Sequence, residues 1–290
     1  MLQNVRQRTL RLPERELEIS LLDWGGSGPL ALLSHANGFC TACWDLVAQQ
    51  LRSRYRVIGF DARGHGDSQA RQQSGAYDWG EFVKDLIAVT EILVAEHGPA
   101  YGIGHSFGGT VTMTAASQRP ELFDRLAMAD PVLIPPDIAI TPERIERSDS
   151  MREMALKRRN VWPSRSEVLA SWSTRPPFDS WDPRALELYT TYGLRDRDDG
   201  QVELKCAGAV EAAVYENNGS LNIYEVAEKL ATPTLLLFAA RGNFTREVCA
   251  EVQQRAADLR VVDIEAGHLL PMEAPDAVAR ELLAFGPASS

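Results

Sequence analysis

The sequence lacks long apolar runs, and this absence narrows the classes of protein that it can encode. No window approaches about 18 uninterrupted apolar residues, the minimum for a transmembrane helix. Residues 1–16 also lack the apolar stretch of about 7 to 15 residues that a secretory signal peptide requires. We therefore predict a soluble, cytoplasmic protein that has no membrane partner.

Positive charge is also scarce. The chain has 30 Lys and Arg residues against 40 Asp and Glu residues, which gives a formal net charge of -10. This charge repels the phosphate backbone of nucleic acids. The basic run Lys157-Arg158-Arg159 is interpreted as a solvated helix face. We expect no nucleic-acid partner.

Cysteine is rare, and the chain has four: Cys40, Cys43, Cys206 and Cys249. The first two form a C-x-x-C pair, which in other sequences marks a metal or redox site. No second ligand pair follows at a regular spacing, and no thioredoxin-like context surrounds the pair. We predict four free thiols and no metal site.

The apolar residues occur in short runs, several of which are followed by a glycine-rich turn and a helical pattern. This alternation is typical of an α/β fold, in which a mostly parallel sheet is flanked by helices. At 290 residues, the chain is long enough for one large domain that carries a smaller insertion. The predicted strands are 17–24, 30–34, 56–60, 100–103, 125–129, 233–238 and 260–264. The predicted helices are 77–96, 245–257, 275–285 and one that begins near Gly109.

Residues 133–229 differ in character from the sequence on either side. They contain two proline pairs, many charges and short helical stretches. Six of their aromatic residues suit a lid over an active site as a set, although each alone is more often part of a small core. We predict a mainly helical cap at 133–229 and an α/β core formed by residues 1–132 and 230–290. The six aromatic residues are Trp162, Trp172, Phe178, Trp181, Tyr189 and Tyr192.

The segment Gly104-His105-Ser106-Phe107-Gly108 matches the G-x-S-x-G pattern between a predicted strand and a predicted helix. In a sharp strand-to-helix turn, the serine has a strained backbone conformation, and the flanking glycines avoid steric clashes. The turn also brings the hydroxyl close to a helix N-terminus, where N–H groups stabilise developing negative charge. These features predict that Ser106 is a nucleophile.

A serine nucleophile requires a base, and the sequence contains five histidines. His105 adjoins Ser106 in sequence, so its side chain is expected to diverge from the hydroxyl, and His97 lies at a charged helix end. His268 follows the last predicted strand, where a loop at the carboxyl edge of the sheet faces the nucleophile turn. Taken alone, His268 would be assigned to a surface loop. Together with Ser106, it is predicted to be the general base.

Three motifs together resemble those of the α/β-hydrolase superfamily. They are Ser106 within Gly-His-Ser-Phe-Gly-Gly, the run Asp-Ala-Arg-Gly-His-Gly-Asp-Ser that begins at Asp61, and the pair Gly267-His268. The resemblance extends from about residue 16 to residue 285 outside the inserted segment. It implies an α/β-hydrolase fold with a cap domain at the insertion, and the order nucleophile, acid, histidine along the chain. It also implies structural roles for the two remaining histidines, His35 and His65.

The resemblance further implies which backbone amides would bind an oxyanion. The segment Leu-Ser-His-Ala-Asn-Gly-Phe is similar to the His-Gly segment that supplies one such N–H group in this superfamily, and it favours Asn37 as the donor. Because Ala36 occupies a position where the family usually has glycine, Gly38 or Phe39 is an alternative. The second donor is expected to be the N–H of Phe107, which follows the nucleophile.

The acid of the triad is absent from the position at which the family commonly has it. After the penultimate predicted strand, Gly242 or Asn243 stands there, and no carboxylate occurs before Glu247. Some members of the family instead have the acid at the end of the preceding strand, where this chain has Asp130. We predict that Asp130 orients the imidazole of His268. The alternative is a turn or helix-cap residue.

These assignments predict a serine hydrolase that needs no cofactor and acts on a small-molecule substrate, of which a small apolar ester is favoured. Serine at position 106 argues against a dehalogenase or an epoxide hydrolase, which in this superfamily use a carboxylate nucleophile. Carbon-carbon bond, lactone and amide hydrolysis and perhydrolysis would use the same triad. A non-catalytic ligand-binding protein that has lost its acid is the alternative from another class. The position of the Asp130 carboxylate distinguishes the two. The sequence indicates no oligomeric state.

Overall fold

The computed structural model describes residues 2–71, 73 and 75–287, and its strands form an eight-stranded and a three-stranded sheet. The strands are β1 (Arg6–Leu12), β2 (Leu17–Gly25), β3 (Leu30–Ser34), β4 (Arg56–Phe60), β5 (Ala100–His105), β6 (Phe123–Ala129), β7 (Val161–Trp162), β8 (Leu194–Asp196), β9 (Val202–Leu204), β10 (Thr234–Arg241) and β11 (Leu259–Gly267). The large sheet has the order β1-β2-β4-β3-β5-β6-β10-β11. β2 pairs antiparallel with β1 and β4, and all the other pairs are parallel. The predicted α/β fold with a mostly parallel sheet is confirmed.

All seven predicted strands are present, and β1 is an additional strand at the edge of the sheet. Its sequence escapes prediction because most of its side chains are exposed and polar, so the apolar alternation of a half-buried strand is missing. Its charged residues Arg6, Arg8 and Arg11 suit an edge, because charge on an edge strand hinders pairing with another chain.

Helices cover both faces of the large sheet. They are α1 (Asp45–Leu51), α2 (Trp79–His97), α3 (Phe107–Gln118), α4 (Pro136–Ala139), α5 (Pro142–Leu156), α6 (Arg165–Trp172), α7 (Pro183–Tyr192), α8 (Gly208–Glu216), α9 (Ile223–Glu228), α10 (Arg246–Arg255), α11 (Leu270–Glu273) and α12 (Pro275–Phe285). Successive residues of a strand point to opposite faces, so Leu33 packs in the layer of α1 and α12. Leu32 packs in the layer of α2, α3 and α10. In the described residues, no helix is both long and apolar enough to cross a membrane.

Residues 133–229 contain the helices and strands between β6 and β10. The small sheet has the order β7-β9-β8, and α5 packs along α8. α9, at the end of this segment, packs against α3 and α10 of the core.

The structure corrects the interpretation of the basic run at 157–159 as a solvated helix face. Lys157 is exposed, but only 18% of the Arg158 side chain is exposed, and its guanidinium pairs with Glu211 at 2.7 Å. The prediction was wrong for Arg158 because an isolated basic run gives no sign of a buried acidic partner 53 positions away.

Candidate active site

Ser106 lies between β5 and α3 in a turn that few residue types adopt. Its φ is 54°, in the left-handed region that residues other than glycine seldom enter. A Cβ at Gly104 would lie 2.6 Å from the carbonyl oxygen of Gly108, and a Cβ at Gly108 would lie 2.4 Å from the carbonyl oxygen of His35. The two glycines therefore allow the close approach of strand, helix and neighbouring loop that projects the Ser106 side chain from the sheet edge.

The fold brings His268 to Ser106, although 162 positions separate them in sequence. His268 directly follows β11, and its Nε2 lies 2.8 Å from the Ser106 Oγ. The ring of Phe244 packs against the imidazole with a centroid separation of 5.8 Å. The His268 side chain keeps 20% of its surface exposed, so the pair is accessible from solvent. This is the geometry of a hydroxyl nucleophile and its base.

Asp130 extends this chain of hydrogen bonds. Its Oδ2 lies 2.5 Å from the His268 Nδ1, and its Oδ1 accepts a hydrogen bond from the Ala239 N–H at 3.2 Å. The residue is 1% exposed and has a φ of 42°. Because both carboxylate oxygens have donors, the charge is compensated despite its burial. The arrangement of Ser106, His268 and Asp130 is that of a catalytic triad.

The loop after β10 accommodates this position of the acid. A Cβ at Gly242 would lie 2.8 Å from the Asp130 Oδ2 and 2.8 Å from the Ala239 Cβ. A side chain there would collide with the carboxylate, and a second carboxylate would also repel it. The glycine that stands in the place of the expected acid therefore leaves room for Asp130.

The backbone on both sides of His268 is also fixed. The carboxylate of Glu273 accepts hydrogen bonds from the Gly267 N–H at 2.6 Å and the Leu269 N–H at 3.2 Å. His105 Nε2 lies 2.9 Å from the carbonyl oxygen of His268. Burial, together with the nearby His268, lowers the pKa of His105 to about 3, so His105 is a neutral donor at ordinary pH. These contacts fix the backbone that carries the imidazole.

The candidate oxyanion loop follows β3 and forms a tight turn. The Phe39 N–H donates to the Ala36 carbonyl oxygen at 3.3 Å, and Gly38 has a φ of 80°. Among the residues that the structure describes, none provides a hydrogen-bond acceptor for the N–H of Asn37 or of Phe107. These two amides are therefore available to a ligand.

His35 and His65 are buried behind this loop. Burial lowers the pKa of His35 to about 4 and that of His65 to about 3. The Nε2 of His35 accepts a hydrogen bond from the Ala62 N–H at 2.9 Å, and the Nε2 of His65 lies 3.1 Å from the Asn37 Oδ1. Both imidazoles therefore contact the backbone or the loop, and neither contacts Ser106.

A sequence profile of the alpha/beta hydrolase family matches residues 31–281. The chain belongs to this family. It is 23% identical over 215 residues to the Abhydrolase domain-containing protein ACTT2-1 from Alternaria alternata, a match that covers 61% of this chain and 79% of that protein.

Solved structures with this fold include E-2-(acetamidomethylene)succinate hydrolase, with a TM-score of 0.83, 20% identity and coverage of 97% of this chain and 98% of that one. The thioesterase domain from the curacin biosynthetic pathway has a TM-score of 0.77, 18% identity and coverage of 97% and 100%. At these identities, the similarity shows the α/β-hydrolase fold.

The four cysteines do not belong to the hydrogen-bonded group Ser106, His268 and Asp130. All four are buried and unbridged. A hydrogen bond from Cys43, together with burial, raises the pKa of the Cys40 thiol well above its usual value, so Cys40 is a poor nucleophile. In the part of the chain that the structure describes, no group of three or more His, Cys, Asp or Glu side chains could hold a metal ion.

Sequence reasoning missed Glu273 and the contact between His105 and the His268 backbone. Glu273 stands just before Pro275, where α12 begins, so it resembles an ordinary acidic residue at a helix N-terminus. Its two hydrogen bonds go to main-chain amides, and a side chain that binds the backbone leaves no pattern of paired residue types in a sequence.

Proposed function

We propose that the protein is a serine hydrolase that cleaves small carboxylic esters through an acyl-enzyme on Ser106. The observation that supports the proposal most directly is the unbroken chain of hydrogen bonds from Ser106 through His268 to Asp130. The imidazole removes the hydroxyl proton as the oxygen attacks the carbonyl, and the carboxylate stabilises the imidazolium that forms. The imidazolium then protonates the leaving alcohol, and a water activated by the same base releases the acid product.

The proposed oxyanion hole consists of the N–H groups of Asn37 and Phe107. Three amides of the loop were candidates. The Phe39 N–H closes the turn by donating to the Ala36 carbonyl oxygen, so it is not free to bind an oxyanion. The N–H groups of Asn37 and Gly38 have no acceptor among the described residues, and the similarity of the loop to the family's His-Gly segment favours Asn37.

A ligand-binding protein without a catalytic acid is the alternative from another class. In such a protein, the imidazole of His268 would have no carboxylate to orient it. The 2.5 Å contact between the Asp130 Oδ2 and the His268 Nδ1 favours the enzyme.

The surroundings of the site favour an uncharged substrate. The Phe39 ring, next to the oxyanion loop, packs against Trp181 and Tyr189 with centroid separations of 5.4 and 5.1 Å. This aromatic wall and the net charge of -10 favour a small apolar acyl group over an anionic one. One similar structure is named as a hydrolase and another as a thioesterase domain, which supports acyl transfer in general but selects no substrate.

The proposal is tested by hydrolysis of p-nitrophenyl acetate and butyrate. Wild type is compared with Ser106→Ala and with the matched control Ser117→Ala. Ser117 lies near the end of α3, the helix that follows the nucleophile turn. Its hydroxyl donates to the Thr114 carbonyl oxygen at 2.8 Å. We expect wild type and the control to turn over alike and Ser106→Ala to lose about 10⁴-fold or more in kcat. Turnover that survives in Ser106→Ala, at equal folded concentration by circular dichroism, would contradict the proposal.

A further inference from the structure

We infer that Tyr189 and Arg158, in the segment 133–229, are positioning residues that hold the oxyanion loop in its reactive conformation. The inference rests on the proposed function, because it takes the Asn37 N–H as an oxyanion donor. Its basis is a largely buried hydrogen-bond network that joins this segment to the backbone of the loop.

Tyr189 makes the direct connection between α7 and the loop. Its hydroxyl donates to the Gly38 carbonyl oxygen at 2.8 Å. The residue is 2% exposed, and its ring stacks on Trp172 with a centroid separation of 5.3 Å and an interplanar angle of 17°. A ring packed in this way cannot follow the loop if the loop moves. Rotation of the peptide after Gly38 would therefore leave a buried hydroxyl and a carbonyl without partners.

Arg158 strengthens this connection. Its Nη2 donates to the Tyr189 hydroxyl at 2.7 Å, and its Nη1 donates to the Glu211 Oε2 at 2.7 Å. Burial opposes the charge of the guanidinium, but Tyr189 and Glu211 outweigh this effect and raise the pKa of Arg158, so it stays charged. A hydroxyl that accepts a hydrogen bond from a cation is a stronger donor in turn. Arg158 thus polarises the bond from Tyr189 to Gly38.

Glu211, in α8, holds the loop at a second point. Its carbonyl oxygen accepts a hydrogen bond from the Asn37 Nδ2 at 3.1 Å. The approach is close, because a Cβ at Gly38 would lie 2.8 Å from the Glu211 Cδ. The same residue binds Arg158 through its carboxylate, so the hydrogen bonds from Tyr189 and to Glu211 belong to one network.

Among the described residues, those outside the segment 133–229 donate no hydrogen bond to the Gly38 carbonyl oxygen. The turn bond from Phe39 to Ala36 and the contact between His65 and the Asn37 side chain act on other groups of the loop. Within the described residues, the donors to the Gly38 carbonyl are Tyr189 and, at 3.5 Å, the Arg158 Nη1.

The expected consequence is an effect on kcat with little effect on KM. Oxyanion donors act on charge that develops in the transition state, and their strength depends on their distance from the oxyanion. A small displacement of the Asn37 N–H therefore weakens transition-state binding more than ground-state binding.

The decisive comparison is Tyr189→Phe with Tyr101→Phe. Both substitutions remove a buried hydroxyl that donates to a backbone carbonyl. The Tyr101 hydroxyl donates to the Leu282 carbonyl oxygen at 3.2 Å, and Tyr101 is 0% exposed. We expect Tyr189→Phe to lower kcat for p-nitrophenyl butyrate about tenfold, less than the loss of a whole oxyanion donor, with KM within about twofold of wild type. The affinity for phenylboronic acid, which forms a tetrahedral adduct with the serine, should fall by a similar factor. Tyr101→Phe should change neither quantity. Equal kcat values in the two variants would overturn the inference.

Arg158→Met tests whether the guanidinium acts through Tyr189. We expect kcat to fall in the single variant and to fall little further when Arg158→Met is added to Tyr189→Phe. Full additivity in this cycle would overturn the role assigned to Arg158.

Hydrogen exchange separates this inference from the proposed function. If wild type shows no turnover that depends on Ser106, the proposed function fails, but the loop can still be measured. Faster amide exchange at residues 36–39 in Tyr189→Phe than in Tyr101→Phe would show that the Tyr189 hydrogen bond stabilises the loop. Unchanged exchange at these residues would overturn it.

Discussion

The two sides of the candidate active site are held by different parts of the chain. On the base side, Asp130 and His105 contact His268, and Glu273 binds the N–H groups of the residues before and after it. All three lie outside residues 133–229. On the oxyanion side, the Gly38 carbonyl receives its hydrogen bonds from the segment between β6 and β10. The groups proposed to move protons are thus held by the sheet and its loops, whereas the proposed oxyanion loop is also held by residues 133–229.

The two sides also differ in the chemistry of their contacts. All five histidines of the chain lie outside residues 133–229. The contacts of the inserted segment with the loop are made instead by an arginine, a glutamate and a tyrosine. The core side therefore contains groups that titrate near neutral pH when they are exposed, and the inserted side contains groups that do not.

The largest effect is expected at the acid of the core side. Asp130→Asn should keep the fold but lower kcat by about 10⁴-fold, because the amide no longer holds the imidazole in the required tautomer or stabilises its charge. Steady-state hydrolysis of p-nitrophenyl butyrate measures the effect, and Asp149→Asn on the exposed face of α5 is the control. A kcat within tenfold of wild type would show that Asp130 has no part in the triad.

Moving the carboxylate from position 130 to position 242 tests whether kcat requires only a carboxylate beside His268 or requires it on residue 130. We expect Asp130→Gly combined with Gly242→Asp to recover part of the kcat lost in Asp130→Gly alone. The glycine removes the carboxylate that a side chain at position 242 would otherwise meet at 2.8 Å. Gly242→Asp in the wild-type background should lose stability by about 1–3 kcal/mol, measured by urea unfolding.

A smaller effect is expected at the backbone of the base loop. Glu273→Gln should lower kcat by about 10- to 100-fold, because the Gly267 and Leu269 N–H groups donate to different carboxylate oxygens and an amide has only one acceptor oxygen. The control is Glu265→Gln, which makes the same charge change two residues before this loop on a side chain that is 84% exposed. The proton NMR signal of the His268 Nδ1–H should shift in the first variant and stay in place in the second. Identical spectra and rates would contradict a positioning role.

Acid pH should destabilise the core through its buried histidines. The pKa values of His35, His65 and His105 are lowered to about 4, 3 and 3, so the unfolded chain binds protons that the folded chain does not. The free energy of unfolding should therefore be largest above pH about 6.5 and fall as pH decreases toward about 4, by about 1.4 kcal/mol per pH unit for each histidine. Urea unfolding at several pH values measures the slope, and His35→Gln should reduce it. A slope that is unchanged in this variant would contradict the assignment for His35.

The smallest effect is expected at a helix cap in the inserted segment. The Ser164 hydroxyl accepts a hydrogen bond from the Glu167 N–H at 3.3 Å at the start of α6. Ser164→Ala should cost about 1 kcal/mol of stability and leave kcat unchanged. A fall in kcat as large as that of Tyr189→Phe would mean that any weakening of the segment disturbs the loop, so that the Tyr189 contact has no special importance.

Much of the core could be predicted from the sequence because its strands are short apolar runs between glycine-rich turns. The sequence also predicted Ser106, His268 and Asp130 as one site, and the structure brings the three side chains together. Ser106 has a local motif, and His268 follows from its position after the last strand. Asp130 was predicted from the resemblance to the α/β-hydrolase superfamily, some of whose members have the acid at this strand end. Their catalytic roles remain predictions.

The parts that escaped prediction share a physical reason. Strands of two or three residues, such as β7 to β9, are too short to show a period of two. Three side chains bind main-chain atoms or partners far away in sequence, so no spacing of residue types predicts their contacts. They are Tyr189, Arg158 and Glu273. Tyr189 was predicted as one of a set of aromatic residues, and its hydroxyl, which makes the contact with the loop, carries no signal of its own.

The positive φ angles of Ser106 and Asp130 lower the stability of the fold at the two positions whose side chains the proposed reaction requires. These two residues end adjacent parallel strands, and each has a backbone conformation that costs on the order of 1–3 kcal/mol for a side chain other than hydrogen. Glycine would relieve this strain at either position, but it would remove the predicted nucleophile or the predicted acid. At position 106, where the lost side chain is small, selection for heat resistance alone would therefore favour glycine and yield a more stable protein without the hydroxyl that lies against His268.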